Sequence, residues 1–231
     1  MPTNLISQPG WKITRLTSSG AWVVWGEILT RRIAILVEGA TEAAFKKVLL
    51  EFLKARLPGK MPKLDFLPED GRIPKADKLK RKVQLLLASN DAVIALTDVY
   101  TGGSPPEFRD ATDAKTKMKS WVGPESRFYP HAAQFDFEAW PLPYWPCIQK
   151  LAGSNRQRPS QHPENVNHDK PPAKHLAEIF RTGKAGRRYS KARDATAILS
   201  GQDLMEAAEN CSELKAFLNT ILKLSGGKKL V

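Results

Sequence analysis

The fold is decided by residues 31–45, RRIAILVEGATEAAF. A continuous apolar run over 33–37 is typical of a buried β-strand, and the apolar spacing that resumes at Phe45 and Val48 predicts a helix. Glu38 lies at the turn between them, where the predicted strand ends. Open α/β sheets bind their ligands at the C-terminal edge of the strands. The local pattern therefore leaves two interpretations of Glu38 open, an ordinary turn residue and a functional carboxylate.

Strand and helix patterns then alternate along the chain. Strands are predicted over 32–37, 63–67, 91–97 and 126–135, and helices over 41–56, 77–89, 107–121, 173–181 and 202–224. Thr41 and Glu42 begin the first helix, where a hydroxyl can cap the backbone and a carboxylate interacts favourably with the helix dipole. The alternation predicts an α/β fold with a parallel sheet flanked by helices.

The chain is expected to have three parts. Two runs of β-branched and aromatic residues flank Ser18-Ser19-Gly20, which predicts an N-terminal β-hairpin within residues 1–30. The hairpin would either extend the sheet or form the contact of a homodimer. Residues 31–145 then form the α/β core. Prolines and polar residues become frequent after it, so residues 146–231 are predicted to be a basic loop and a helical C-terminal extension.

Charge points to a polyanionic partner. The 231 residues include 36 Lys and Arg against 24 Asp and Glu, a net charge of +12, and nucleic acid is the first partner to consider, although many basic proteins do not bind it. Two cysteines do not make a disulfide framework or a zinc site. Apolar runs stay shorter than the ~20 residues of a membrane-spanning helix, and no secretory signal is recognisable. We therefore expect a cytoplasmic protein without membrane contact.

Acidic residues follow three of the predicted strands. Glu38 follows the first strand, Asp98 follows a later one, and Asp136 and Glu138 follow the last. In a parallel sheet these side chains meet at one edge, where they repel one another unless something neutralises them. Carboxylate oxygens suit Mg²⁺, and a metal beside a basic surface indicates phosphodiester chemistry. Each acid taken alone can equally be a loop residue without a function.

The segment Val37–Glu42, VEGATE, resembles the first motif of the Toprim fold, which topoisomerases, bacterial primases, recombination proteins and OLD-type nucleases share. The resemblance implies a Toprim-like core in which Glu38 acts as a general acid or base, or binds a metal. Asp98-Val99-Tyr100 stands where the family has Asp-x-Asp after a later strand. Tyr100 replaces the second acid there, and this departs from the metal geometry of the family.

The chain also resembles a narrower bacterial group of Toprim-like proteins that is associated with phage defence. The matching segments run in order over about residues 32–222. They include Gln134–Ala139, Pro163–Asn167, Lys174, Tyr189–Lys191 and Cys211. In this group Glu138 can supply the acid that Tyr100 does not.

This resemblance implies a set of site residues. The implied ligands of Mg²⁺ or Mn²⁺ are Glu38, Asp98 and Glu138, with Glu42 and Asp136 as supporting or alternative ligands. The implied catalytic residues are Glu38, Asp98, Glu138, Lys174 and Lys191. The two lysines would bind phosphate or stabilise the transition state, and their alternative interpretation is a pair of solvated side chains.

Three functions are compatible with these features. The first is a Mg²⁺-dependent nuclease, with a toxin-like role in anti-phage defence and an ATPase partner as further expectations. The second is a non-catalytic adaptor that binds nucleic acid or protein on a Toprim scaffold. The third is an enzyme that acts on a small phosphorylated molecule, for which we expect a closed pocket.

Overall fold

The computed structural model describes the side chains of most of the chain and the backbone of two N-terminal strands. The described ranges are 11–15, 22–26, 31–39, 45–100, 106–160, 162–166, 171–184 and 186–231. Residues 1–30 and 31–231 form two compact units. In the first unit, β1 (Trp11–Arg15) pairs antiparallel with β2 (Trp22–Gly26). The predicted pair of hairpin strands is confirmed, whereas its role as a sheet edge or dimer contact stays a prediction.

Strands and helices alternate in the second unit. In chain order they are β3 (Arg32–Val37), α1 (Lys46–Lys54), β4 (Lys63–Pro68), α2 (Ala76–Leu87), β5 (Ala92–Asp98), α3 (Ala111–Val122), β6 (Phe128–Ala133), α4 (Trp145–Ala152), α5 (Pro172–Thr182), α6 (Lys191–Leu199), α7 (Leu204–Asn210) and α8 (Ser212–Leu224). Short 3₁₀ turns lie at Phe137–Ala139, Leu142–Tyr144 and Pro163–Asn165. None of the helices in the described ranges has the length and apolarity that a membrane crossing requires.

The four strands of this unit form one parallel sheet in the order β4-β3-β5-β6. The predicted parallel α/β fold is therefore confirmed. β3 and β5 are the central strands, and all seven residues of β5 are buried. Both faces of a parallel sheet are covered by helices, which is why these strands appear in the sequence as continuous apolar runs. The C-terminal ends of β3, β5 and β6 meet at one edge of the sheet.

Helices cover the two faces of the sheet in separate layers. The face that carries Ala34 and Leu36 packs against α2 and α3. The opposite face, with Ile33 and Ile35, packs against α1 and the C-terminal helices, and Trp140 is among the largest side chains in that core. Residues on both sides of position 145 contribute to this second layer. The division of the unit into a core over 31–145 and an extension over 146–231 stays a prediction about sequence organisation.

The C-terminal helices differ from the pattern that the sequence predicts. The apolar spacing predicts one helix over 202–224, whereas the structure has α7 and α8, separated at Cys211. Cys211 is extended and completely buried, and its thiol donates a weak hydrogen bond to the Ala139 carbonyl. α6 has no counterpart in the prediction because its polar residues dominate the segment, and only one side of it, with Ala195 and Ile198, is apolar and buried.

The contact between α4 and α5 gives a test of this packing. A Cβ atom at Gly183 would lie 2.1 Å from the Ala152 carbonyl oxygen, so the two backbones must separate to accept a side chain. We expect Gly183→Ala to lower the free energy of unfolding by about 1–3 kcal/mol. Gly59→Ala is the matched control, because nothing lies within 4 Å of the added methyl group there. Urea denaturation of both variants checks the prediction, and equal midpoints would contradict it.

Candidate active site

The turn after β6 directs the last two acids of the predicted site back toward the sheet. Phe135 has a φ of 69°, a left-handed conformation that is uncommon for residues other than glycine. Its carbonyl accepts a hydrogen bond from Tyr100 N at 2.7 Å, and its ring contacts the Tyr100 ring. Tyr100, which the Toprim resemblance aligns with the second acid of the Asp-x-Asp motif, packs here against the turn. Strained residues of this kind are concentrated at functional sites.

Hydrogen bonds join the ends of β3, β5 and β6. Glu38 Oε1 accepts hydrogen bonds from Asp98 N at 3.2 Å and from the Thr97 hydroxyl. Asp98 Oδ1 in turn accepts one from Phe137 N at 2.9 Å. Glu38 and Asp98 are 7% and 8% exposed, so both are buried but lie close to the surface. These bonds fix two carboxylates at neighbouring strand ends.

Glu138 is fully buried and paired with a lysine from a distant part of the sequence. Its Oε2 lies 3.2 Å from the amine of Lys191, the first residue of α6. The Lys191 side chain is about half exposed. Although burial lowers the pKa of Lys191, the nearby carboxylates of Glu138 and two other acids raise it above its ordinary value. Lys191 is therefore a fixed positive charge at the rim of the acidic cluster.

Asp136 is the fourth acid of the cluster. Its Oδ2 accepts a hydrogen bond from Ala173 N in the first turn of α5, at 3.2 Å. Its Oδ1 is buried and has no hydrogen-bond partner in the described part of the chain. Burial, followed by the charge of Glu138, raises the pKa of Asp136 to about 8. Both effects favour the protonated, uncharged form of this carboxyl group.

The structure brings together most of the acids that the sequence singles out. Glu38, Asp98, Asp136 and Glu138 gather at the sheet edge with Lys191. Lys174 is on the exposed side of α5 and forms no ion pair within the described ranges. Glu42 lies outside the described residues, as does Thr41. The roles of all these side chains in metal binding and catalysis stay predictions.

The carboxylates at the sheet edge are ligands of the type that a hard cation prefers, but they do not form a complete metal-binding site. Among the described residues, no group of three or more His, Cys, Asp or Glu side chains has the spacing of a metal site. Mg²⁺ needs no such cage, because it commonly binds one or two carboxylates and keeps several waters. Asp136 Oδ1, which is buried and accepts no hydrogen bond from the described residues, is an oxygen of the type that this ion prefers. The acids therefore fit Mg²⁺ if two carboxylates bind the ion and water molecules fill the other positions. The acids alone do not supply a complete ligand shell.

Some residues of the site and of the matching motifs have roles that the sequence pattern does not reveal. Thr97 was not predicted, and the only signal for it is a hydroxyl residue directly before Asp98 at the end of a buried strand. Glu164 has a structural role. It is buried and caps the N-terminus of α8, since its carboxylate accepts hydrogen bonds from Glu213 N at 3.0 Å and from the Ser212 hydroxyl at 2.8 Å.

A model of a domain of unknown function, DUF4276, matches residues 37–222. The chain belongs to this family. Among solved structures, this DUF4276 protein resembles the C-terminal region of the Burkholderia pseudomallei OLD protein, with a TM-score of 0.50 and 13% identity over 85% of this chain and 100% of that region. The corresponding region of the Xanthomonas campestris pv. campestris OLD protein gives a TM-score of 0.45 and 15% identity over 86% of this chain and 97% of that one. The first likeness supports an OLD-type Toprim-like fold, and at this identity it shows the fold alone. A search of curated proteins finds no match.

Asp136 makes the stability of the metal-free protein depend on pH. Because its folded-state pKa is raised from 3.8 to about 8, the folded protein retains a proton that the unfolded chain has lost. The contribution of Asp136 to the free energy of unfolding is therefore lost as the pH rises between these two pKa values. His131 acts in the opposite direction below pH 6.5, since burial first, and then two nearby lysines, lower its pKa to about 4. Between pH 6.5 and 8 the effect of Asp136 is therefore not opposed by His131.

We expect Asp136→Asn to remove this dependence. Between pH 6.5 and 8 with a chelator present, wild type should lose stability relative to the variant by on the order of 1 kcal/mol per pH unit. Urea denaturation at several pH values measures the difference. Asp77→Asn, which removes an exposed carboxylate on α2, is the control and should follow wild type. Parallel profiles for wild type and Asp136→Asn would show that Asp136 is ionised in the folded protein.

Proposed function

We propose that this DUF4276 protein is a Mg²⁺- or Mn²⁺-dependent nuclease that hydrolyses phosphodiester bonds in nucleic acid. The observation that carries the proposal is the cluster of four buried acids, with one lysine, at the C-terminal edge of a parallel sheet. Burying carboxylates together is unfavourable unless they are paired or bind a cation. Such a cluster is therefore expected to persist in a protein because it has a function.

Asp98 and Glu138 are the pair of acids that would hold the metal together with water, and Asp136 beside them would be a supporting residue. When bound, Mg²⁺ would neutralise charge on the phosphate and lower the pKa of a bound water. The cluster itself supplies the selectivity for a hard cation, because its donors are carboxylate oxygens and no sulfur or imidazole ligand is among them. Lys191 neutralises part of the cluster, so the chain can fold before a metal arrives.

Glu38 would be the residue that moves a proton. It lies closer to the surface than Glu138, and the hydrogen bonds from Thr97 and Asp98 hold its Oε1 in one position. A fixed carboxylate at this place can accept the proton of an attacking water. The half-exposed amine of Lys191 can donate hydrogen bonds to a phosphate oxygen as negative charge grows on it.

The charge of the chain supports a polymeric substrate. The cleft beside Glu38 and Thr97 has a volume of about 10 Å³, which is close to the space that one water needs. This cleft alone is therefore too small to enclose a nucleotide. The net charge of +12 favours a polyanion. A toxin-like effector role in phage defence, with an ATPase partner, is proposed from the family resemblance alone.

The Glu138–Lys191 ion pair supports a second candidate function. Because the lysine compensates the most buried acid without a metal, the same scaffold could serve as a non-catalytic adaptor that binds nucleic acid. The two functions differ in a simple way. An adaptor retains its affinity for nucleic acid when Glu38 is replaced, and it yields no cleaved product with Mg²⁺ or Mn²⁺.

Replacing either of two acids should abolish cleavage. We expect Glu38→Gln and Asp98→Asn to reduce kcat by about a hundredfold or more, because each removes a charge that general base catalysis or metal binding needs. Glu209→Gln is the control, since Glu209 is an exposed acid on α7. Labelled DNA and RNA, single-stranded and duplex, are incubated with and without Mg²⁺ to measure the rates. Equal rates in Glu38→Gln and wild type would overturn the nuclease proposal.

Replacing Lys191 should impair the chemistry at the phosphate without weakening metal binding. We expect Lys191→Met to lower kcat by about ten- to a thousandfold, because the transition state loses a charged donor. The same variant should bind Mn²⁺ at least as tightly as wild type, because a positive charge next to the ligands is gone. Glu138→Gln should lose both cleavage and Mn²⁺ affinity. Titration of Mn²⁺ followed by electron paramagnetic resonance gives the affinity without an activity assay, and weaker Mn²⁺ binding in Lys191→Met would contradict this role.

A further inference from the structure

The loop between β4 and α2 is attached to the end of β3 at Glu38. Glu69 N donates a hydrogen bond to the Val37 carbonyl at 2.7 Å, and Gly71 N donates one to the Glu38 carbonyl at 2.9 Å. Gly71 has a φ of 85°, a conformation that glycine adopts without strain. The residue that follows, Arg72, is therefore held beside Glu38 by backbone contacts and not by its own side chain.

Arg72 lines the same narrow cleft as Glu38 and Thr97. Its side chain is exposed and forms no ion pair with any residue in the described ranges. Lys75 also lines this cleft, but it is paired with Glu107. The two cations of the loop thus differ, because Lys75 is in an ion pair, whereas Arg72 is exposed and has no ion pair among the described residues.

The sheet order places this arginine and Lys191 on opposite sides of the acids. Arg72 follows the edge strand β4, Glu38 follows β3 and Asp98 follows β5. Lys191 contacts the acid that follows β6. Because the Gly71 N–H is hydrogen-bonded to the Glu38 carbonyl, Arg72 lies near the end of β3. Neighbouring strands lie about 4.8 Å apart, so the row from β3 to β6 spans roughly 10 Å. A polynucleotide can place successive phosphates along such a row.

We propose that Arg72 binds a backbone phosphate next to the scissile one and thereby aligns a nucleic-acid strand across the carboxylate cluster. The planar guanidinium group can form two parallel hydrogen bonds with a phosphate, which gives direction as well as attraction. The proposal rests on the proposed nuclease function and adds to it the requirement that the substrate extends beyond the bond that is cut.

The experiment measures binding in a protein that does not cut. In a Glu38→Gln background with Mg²⁺, fluorescein-labelled single-stranded DNA and RNA of one sequence are titrated at several salt concentrations. We expect Arg72→Ala to weaken binding by about tenfold at low salt and to reduce the slope of log K against log salt by about 0.7, the value for one phosphate contact. Arg72→Lys should recover part of the affinity. Arg81→Ala, which removes an exposed arginine on α2, should leave the slope unchanged.

Each outcome decides the role of Arg72. Equal slopes for Arg72→Ala and Arg81→Ala would overturn the proposal, and so would a loss confined to DNA or to RNA, which would indicate contact with sugar or base. An equal loss for both nucleic acids supports a phosphate contact. In the cleaving protein, we also expect Arg72→Ala to raise KM for the strand more than it lowers kcat. If wild type cuts nothing, the nuclease proposal fails, while the salt slopes still decide whether Arg72 contacts phosphate.

Discussion

Electrostatic repulsion among four buried carboxylates is the constraint on which the site depends. Glu38, Asp98, Asp136 and Glu138 are all less than 9% exposed, and carboxylates buried together would protonate or destabilise the fold without compensation. Among the described residues, backbone N–H groups, a hydroxyl and a lysine contribute to this compensation. Burial, followed by the charge of Glu138, raises the pKa of Asp136. Under the proposed function, a divalent cation would supply further positive charge at this edge.

The C-terminal half of the chain supplies much of this compensation. α5 provides the backbone donor for Asp136, and α6 provides the amine of Lys191. Both helices belong to the layer that covers one face of the sheet, where Trp140 packs against Phe45, Phe137 and Phe217 from the beginning, the middle and the end of this unit. The segment that carries Glu138 is therefore fixed by aromatic packing on one side and by charge on the other. A site made in this way requires the C-terminal helices as much as the strands.

The sheet and the acids at its edge could be predicted from sequence because they follow from local rules. A buried parallel strand is a continuous apolar run, and the residue after it lies at the ligand-binding edge, so Glu38 and Asp98 are recognisable from position alone. Contacts between distant segments could not be predicted in this way. Nothing in the sequence near Thr97 or Arg72 indicates that either lies beside Glu38, and the family resemblance suggested a role for Lys191 but not its partner. Those contacts depend on strand order and on loop hydrogen bonds, which have no local pattern.

The central claim is that the carboxylate cluster binds a catalytic divalent cation. The most direct test is the anomalous scattering of manganese in crystals grown with Mn²⁺. We expect a peak at the sheet edge, roughly 2 Å from oxygens of Asp98 and Glu138, with the Lys191 amine displaced from Glu138 or turned toward solvent. A map with no manganese at the cluster, at concentrations of Mn²⁺ that support cleavage, and with the ion pair between Lys191 and Glu138 intact, would contradict the account.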